Sequence, residues 1–446
     1  VEVCRYPVID LLAGGGSADP VFKINLMKIL IQSPEIIDPN SPFHQKVKNV
    51  LINNGKIVEI GDKNFSADKV IKADGMILSI GWFDLGTFVG DPGLEHKEDL
   101  DSVAKTALSG GFTEIAVLPN THPSIQTKNE VSYITRNNDN RLLQIHALAS
   151  VTKNNKGDEL TEMIDLHSAG AIGFTDGLKP LWHTDILLKS LQYLQKFNGV
   201  LIDHPEDTWL NLFGQMHEGL NSTRLGLKGL PRIAEEISVS KHIELLNYAG
   251  GRLHLSRIST GKSLDLIKAA KRKMKLSCDI TSYQPLLDDS SLIDFDTNFK
   301  VNPPLREKAD NEALVRALRD GTIDVICSGH LPGDEESKNV EFDLADFGMI
   351  NLQTFGTNLT GLSKFVAWDV LIEKITAGPR NVLQLEVPKI QEEEKANLTL
   401  FDPNRKWTLD DKTNCSRSKN SPWFGKEVTG KAIAVFNNNR HWIDHN

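Results

Sequence analysis

Four side chains able to offer a lone pair stand at or just after short apolar runs. Asp176 follows GAIGF (170–174), His204 follows GVLID (199–203), His254 lies inside GRLHLS (251–256), and His330 follows TIDVICS (322–328). Carboxylates and imidazoles at strand ends are the ligands that hold zinc, and bound zinc lowers the pKa of its water to about 7, giving hydroxide for hydrolysis. The four make one conceivable site. Arg257, three residues after His254, opposes it, because a guanidinium keeps its proton and repels a divalent ion. Each group also has a structural reading. His204 can bond to a neighbour instead of a metal, and Asp176, beside Gly177, can cap backbone N–H groups. Asn120, Asn302 and His330 can brace the loops that follow their strands.

The runs themselves say what positions these residues. TEIAVLP (113–119), LLQIHALAS (142–150) and KLSCDIT (275–281) join the four above as buried strands, and ILSIGWFD precedes them. Helical stretches at 96–111, 238–251 and 259–275 alternate with them, which predicts parallel strands with crossover helices and, with this many units, a closed (β/α)8 barrel. Residues 47–60 form two alternating runs around Asn53-Asn54-Gly55, the composition of a tight hairpin. ANLTLFD (396–402) and GKAIAVFNN (430–438) are strand-like too, so both termini are β-rich; Glu392-Glu393-Glu394 reads as a solvated loop before the last β segment.

Composition narrows the class. Of 446 residues, 40% are hydrophobic and 24% charged, as in an ordinary globular protein, and the net charge of -9 argues against general attraction to nucleic acid or an anionic membrane. Cys4, Cys278, Cys327 and Cys415 lie far apart and read as reduced, mostly buried thiols. Gly14-Gly15-Gly16 lacks the Lys and Ser or Thr of a phosphate loop. With no apolar run long enough to span a bilayer and no secretory leader in the first 30 residues, the expected location is cytoplasmic.

Asp84-Leu85-Gly86-Thr87-Phe88-Val89-Gly90-Asp91-Pro92-Gly93, continued by Glu95-His96-Lys97-Glu98-Asp99, resembles the first-strand signature of dihydroorotases of the amidohydrolase superfamily, Asp-x-His-x-His-x-Arg-x-Pro-Gly. Leu118-Pro119-Asn120-Thr121, Leu225-Gly226-Leu227-Lys228-Gly229-Leu230-Pro231, Lys300-Val301-Asn302-Pro303-Pro304-Leu305-Arg306 and Ser418-Lys419-Asn420-Ser421-Pro422 resemble the same family in the same order. The resemblance implies a TIM-type barrel of the metal-dependent hydrolase superfamily (79–385) with a small β-sandwich domain built from both termini (1–78 and 386–446).

It also implies what is missing. The two first-strand zinc ligands fall on Gly86 and Phe88, the second histidine of His-x-x-His on Arg257, the acid/base aspartate on Gly329, and the arginine that clamps substrate carboxylate on Gly90. Asp176 and His204 match the remaining ligands, and Asn120, Asn302 and His330 match residues of the substrate pocket. Arg257 is expected to pair with Asp176 in place of metal charge. The reading is therefore a homologue without catalysis or cofactor, serving pyrimidine biosynthesis as a structural or regulatory partner of aspartate carbamoyltransferase, and forming a homodimer. The alternatives are an amidohydrolase with a rearranged zinc site and a small-molecule binding protein.

Overall fold

The structure is a computed structural model and describes residues 27–444 except 137, 139 and 140. Eight parallel strands form the barrel sheet in chain order: Trp82–Thr87, Phe112–Val117, Gln144–Ala149, Gly173–Phe174, Leu201–Asp203, Leu253–Leu255, Leu276–Thr281 and Val325–Cys327. Being covered on both sides, they are apolar nearly throughout; every residue of Phe112–Val117 is buried. The first and eighth strands are tied at the mouth. Phe88 N–H donates to His330 O at 3.2 Å, and the buried Asp84 carboxylate accepts from Ser328 N at 2.6 Å and Ser328 Oγ at 2.7 Å. The other end is packed by Val382 and Leu383, from the helix Ala377–Leu383, against Phe83, Leu85 and Leu148.

ILSIGWFD is two strands, not one. Ile77–Ile80 belongs to a terminal sheet and Trp82–Thr87 to the barrel, with the change at Gly81. A Cβ there would stand 2.1 Å from Asn397 Oδ1 and Thr113 Oγ1, so only glycine admits this approach of the two domains. The terminal domain has two sheets. One, of four strands, contains the hairpin Asn49–Asn53 and Lys56–Gly61 turning at Asn54 (φ 52°) and Gly55 (φ 68°). The other, of six, pairs Ile77–Ile80 with the C-terminal Leu398–Thr408, which pairs in turn with Glu427–Asn437. Ile31, Ile52, Leu78, Leu398 and Phe436 share one buried cluster. Glu392, Glu393 and Glu394 lie in an exposed loop whose backbone bonds to Ile57.

Helix limits follow local caps. The helix expected at 96–111 spans Leu100–Ser109, because Asp99 and Ser102 make a reciprocal capping box. That expected at 238–251 starts earlier, as Arg232–Ala249 behind Pro231, and that at 259–275 is Gly261–Lys271 behind Thr260. Among the described residues no helix is long and apolar enough to cross a membrane. Cys278 and Cys327 are buried free thiols and Cys415 is partly exposed; Cys4 and Gly14-Gly15-Gly16 lie outside the described residues.

Candidate functional site

The strand ends bring the sequence-predicted residues to the barrel mouth, where each is engaged by the protein itself. Asp176 is buried after the fourth strand. Its Oδ1 accepts from Val151 N at 3.0 Å and Thr152 N at 2.9 Å, and its Oδ2 accepts from the Thr152 hydroxyl. This is the capping role, so both oxygens are committed. Burial pushes its carboxyl up to about 7, and the negative Asp203 adds to that. Arg257 does not pair with it. The Arg257 Nη2 donates to Gly177 O at 3.0 Å, because the loop presents a carbonyl to the guanidinium while Thr152 occupies the carboxylate. The expectation of an Arg257–Asp176 pair is corrected accordingly.

His204 Nδ1 lies 3.4 Å from Ser256 O and Nε2 lies 3.2 Å from Glu206 Oε2. Both neighbours are protein oxygens, so each ring nitrogen is already faced by a partner within the chain. Asn302 Nδ2 donates to the same Glu206 oxygen at 2.8 Å. Burial opposes the Glu206 charge, yet His204 and Asn302 outweigh it and hold the carboxyl at about 2. Asn120 braces the neighbouring loop, donating to Asp176 O at 3.0 Å and accepting from Leu178 N at 2.9 Å. His330 accepts on Nδ1 from Asn351 N at 3.1 Å and turns Nε2 toward buried Glu98, 3.5 Å away. His254 lies between Ser277 Oγ at 2.8 Å and Asp279 Oδ2 at 2.9 Å.

Two of the positions without donors, Gly329 and Gly90, are closed as well as empty. Gly329 has φ 63°, and a Cβ there would stand 2.7 Å from Thr281 Cγ2 and 3.0 Å from the Tyr283 ring. At Gly90 a Cβ would lie 2.1 Å from Leu94 O, a backbone atom. Gly86 (φ 100°) has room, with Leu118 at 3.5 Å, and Phe88 is buried. Zinc hydrolysis needs at least three N, O or S donors with an open position. Among the described residues no three His, Cys, Asp or Glu side chains are grouped to hold one ion, and Asp176, His204, His254 and His330 do not converge on a common centre. The residues present do not fit the family's metal.

Sequence reasoning passed over Glu206 and Asp279, the carboxylates that partner His204 and His254, and Asp203, which partners His242 of the helix Arg232–Ala249. Asp203 bonds His242 Nε2 at 2.6 Å and Leu181 N at 3.0 Å. Glu206 stands two residues from His204, and that proximity was the available signal.

The family model described as Dihydro-orotase-like matches residues 75–263. A dihydroorotase of Pelobacter propionicus is 34% identical over 416 residues, covering 92% of this chain and 98% of that protein. One from Acetivibrio thermocellus is 35% identical over 408 residues, covering 90% and 96%. The chain belongs to the dihydroorotase family. Dihydroorotase-family architecture extends to more distant folds: the L-hydantoinase (dihydropyrimidinase) of Arthrobacter aurescens superposes with a TM-score of 0.82 at 20% identity, covering 94% of this chain and 96% of that one. Dihydropyrimidinase from Brevibacillus agri superposes at 0.77, also 20% identical, covering 94% and 95%. Barrel and terminal β-sandwich are thus a fold that the chain shares with these proteins.

Replacing Asp176 by Asn tests its role. A group with a raised folded pKa stabilises fully below its unfolded pKa of about 3.9 and loses that stability as pH rises through the folded value, here about 7. Asp176→Asn keeps the acceptor for Val151 and Thr152 and cannot ionise. The variant should match the wild type near pH 4 and exceed it by a few kcal/mol at pH 8, measured as urea midpoints. A metal ligand would give the reverse, a loss at pH 8.

Proposed function

We propose that this dihydroorotase-family chain has given up hydrolysis and serves pyrimidine biosynthesis in the cytoplasm as a structural or regulatory partner of aspartate carbamoyltransferase. One observation carries the reading. Every surviving candidate ligand is bonded within the protein, Asp176 to Val151 and Thr152 and His204 to Ser256 and Glu206, while Gly86, Phe88 and Arg257 offer no donor. The match extends over 98% of the length of the Pelobacter propionicus relative, so the fold is kept as an assembly role requires and a discarded enzyme does not.

The test has two arms. Metal analysis of the purified chain should give far less than one zinc per chain, with no turnover of dihydroorotate that a chelator abolishes. Mixed with aspartate carbamoyltransferase, the chain should move to a complex larger than either component by light scattering. Stoichiometric zinc with chelator-sensitive turnover would establish an active cyclic amidohydrolase with a rearranged centre instead. No metal, no complex and a metabolite retained at the mouth would establish a small-molecule binding protein.

A further inference from the structure

The chain is acidic overall, at -9, yet residues 268–275 read Lys-Ala-Ala-Lys-Arg-Lys-Met-Lys, five cations in eight positions. Two of the five are neutralised. Lys268 pairs with Asp320 at 2.6 Å and Lys271 with Asp324 at 2.7 Å. Arg272, Lys273 and Lys275 are exposed, and among the described residues none of the three makes an ion pair.

Lys273 and Lys275 line a cavity of about 450 Å³ together with Arg252. It lies where the chain enters three adjacent barrel strands, with Gly199 two residues before Leu201, Arg252 just before Leu253 and Lys275 just before Leu276. Arg252 is held in place, its Nη2 donating to Val382 O at 2.8 Å and Asn381 O at 3.5 Å and its Nη1 to Asn198 O at 3.4 Å. Burial lowers its pKa, and no neighbouring carboxylate offsets that. Leu246 and Met274 are the only apolar side chains of the lining, and it contains no Asp or Glu.

Cations beside helix ends often do no more than answer the helix dipole. Thr184–Leu194, Arg232–Ala249, Gly261–Lys271 and Ala377–Leu383 all finish around this cavity. At about half a negative charge each, they offset at most about two charges. Arg252, Lys273 and Lys275 exceed that, and Lys268 and Lys271 already stand in the last turn of one of the helices. The surplus positive charges repel one another, and an anion seated between them removes that cost.

We propose that this cavity binds a small molecule carrying two or more phosphate groups. A single carboxylate answers only one of the three cations. Phosphate oxygens accept from the planar guanidinium fork and from the point charge of a lysine alike, and Asn247 in the lining can donate to a further oxygen. The volume falls among those of small-molecule sites, about 300 to 1,000 Å³. The cavity is at the opposite end of the barrel from Asp176 and His204, so its occupancy is independent of whether hydrolysis is lost.

Titration calorimetry of the whole chain in about 150 mM NaCl tests it, with inorganic tripolyphosphate and fructose 1,6-bisphosphate as probes. At least one should bind. Tighter binding of the first assigns a phosphate chain and of the second a phosphorylated sugar, and either supports the site. Lys273→Ala with Lys275→Ala, both on exposed side chains, should leave Tm unchanged and weaken binding at least about tenfold. Arg272→Ala, a neighbouring cation outside the lining, should change it less than about twofold. Binding of neither probe overturns the proposal, as does displacement of the bound probe by sulfate at equal ionic strength. Equal weakening by Arg272→Ala also overturns it, since the basic run would then attract anions without a site. A single-stranded oligonucleotide that binds more tightly than both probes would assign the run to nucleic acid instead.

Discussion

Hydrolysis of dihydroorotate by this chain is expected to run at least ~10⁴-fold below an active relative such as the Pelobacter propionicus dihydroorotase. Losing a positioned acid/base alone costs about 10² to 10⁴, and the resemblance puts the family's aspartate at Gly329, which has no side chain to carry a proton. Losing the hydroxide source adds to that. The sharper test is reversal. Gly86→His, Phe88→His, Arg257→His and Gly329→Asp together put back the three ligands and the acid/base the resemblance names, all but the arginine at Gly90, yet the fourfold variant should regain less than about 1% of the relative's kcat/KM, the equivalent of some 3 kcal/mol still missing. The reason is steric. Thr281 and the Tyr283 ring have closed on the Cβ position of Gly329, and Leu94 O blocks an arginine at Gly90. Asp176 would also have to release Val151 and Thr152, and His204 to release Glu206. Recovery to within tenfold of the relative in a steady-state assay would mean that the mouth still has its old shape.

The barrel was legible because its signal is local. Short apolar runs bounded by turn residues fixed the seven later strands to within a few residues, and Asn53-Asn54-Gly55 marked its hairpin by the φ values that only such residues adopt readily. The break at Gly81 was not legible, since continuous apolar sequence on either side hides a crossing whose cause is a C-terminal residue, Asn397. The candidate site divides in the same way. Which positions the resemblance leaves without a metal-ligating or acid/base side chain could be read residue by residue, as Gly86, Phe88, Arg257 and Gly329. Where most of the survivors turn could not, because all but the Glu206 partner of His204 are distant in sequence: Thr152 lies 24 residues from Asp176, and Asn302 lies 96 from Glu206. Arg257 illustrates the limit. Its charge suggested Asp176, but the geometry of the loop offers Gly177 O.

Glu114 carries the largest expected stability effect, and it lies at the opposite end of the barrel from the mouth. Its buried carboxylate is 2.7 Å from Arg380 Nη2, 2.9 Å from His146 Nε2 and 3.2 Å from Asn397 Nδ2, so one charge ties the second strand, the third strand, the closing helix and the terminal domain together. Burial opposes that charge, but Arg380 and His146 overcome it and hold the carboxyl at about 2. Glu114→Gln leaves the fully buried Arg380 without its counter-ion, and breaking a pair in that way costs about 3 to 5 kcal/mol. The pH dependence identifies the cause. A depressed folded pKa gives stability that is present above the unfolded value, about 4.3, and lost as pH falls through the folded value, about 2. The gap in urea midpoint between wild type and Glu114→Gln should therefore be constant from pH 7 to 5 and narrow toward pH 2. A gap that does not narrow would assign the loss to packing instead of charge. Glu114→Leu with Arg380→Met should recover much of it, because apolar residues of similar volume replace a buried pair at little cost.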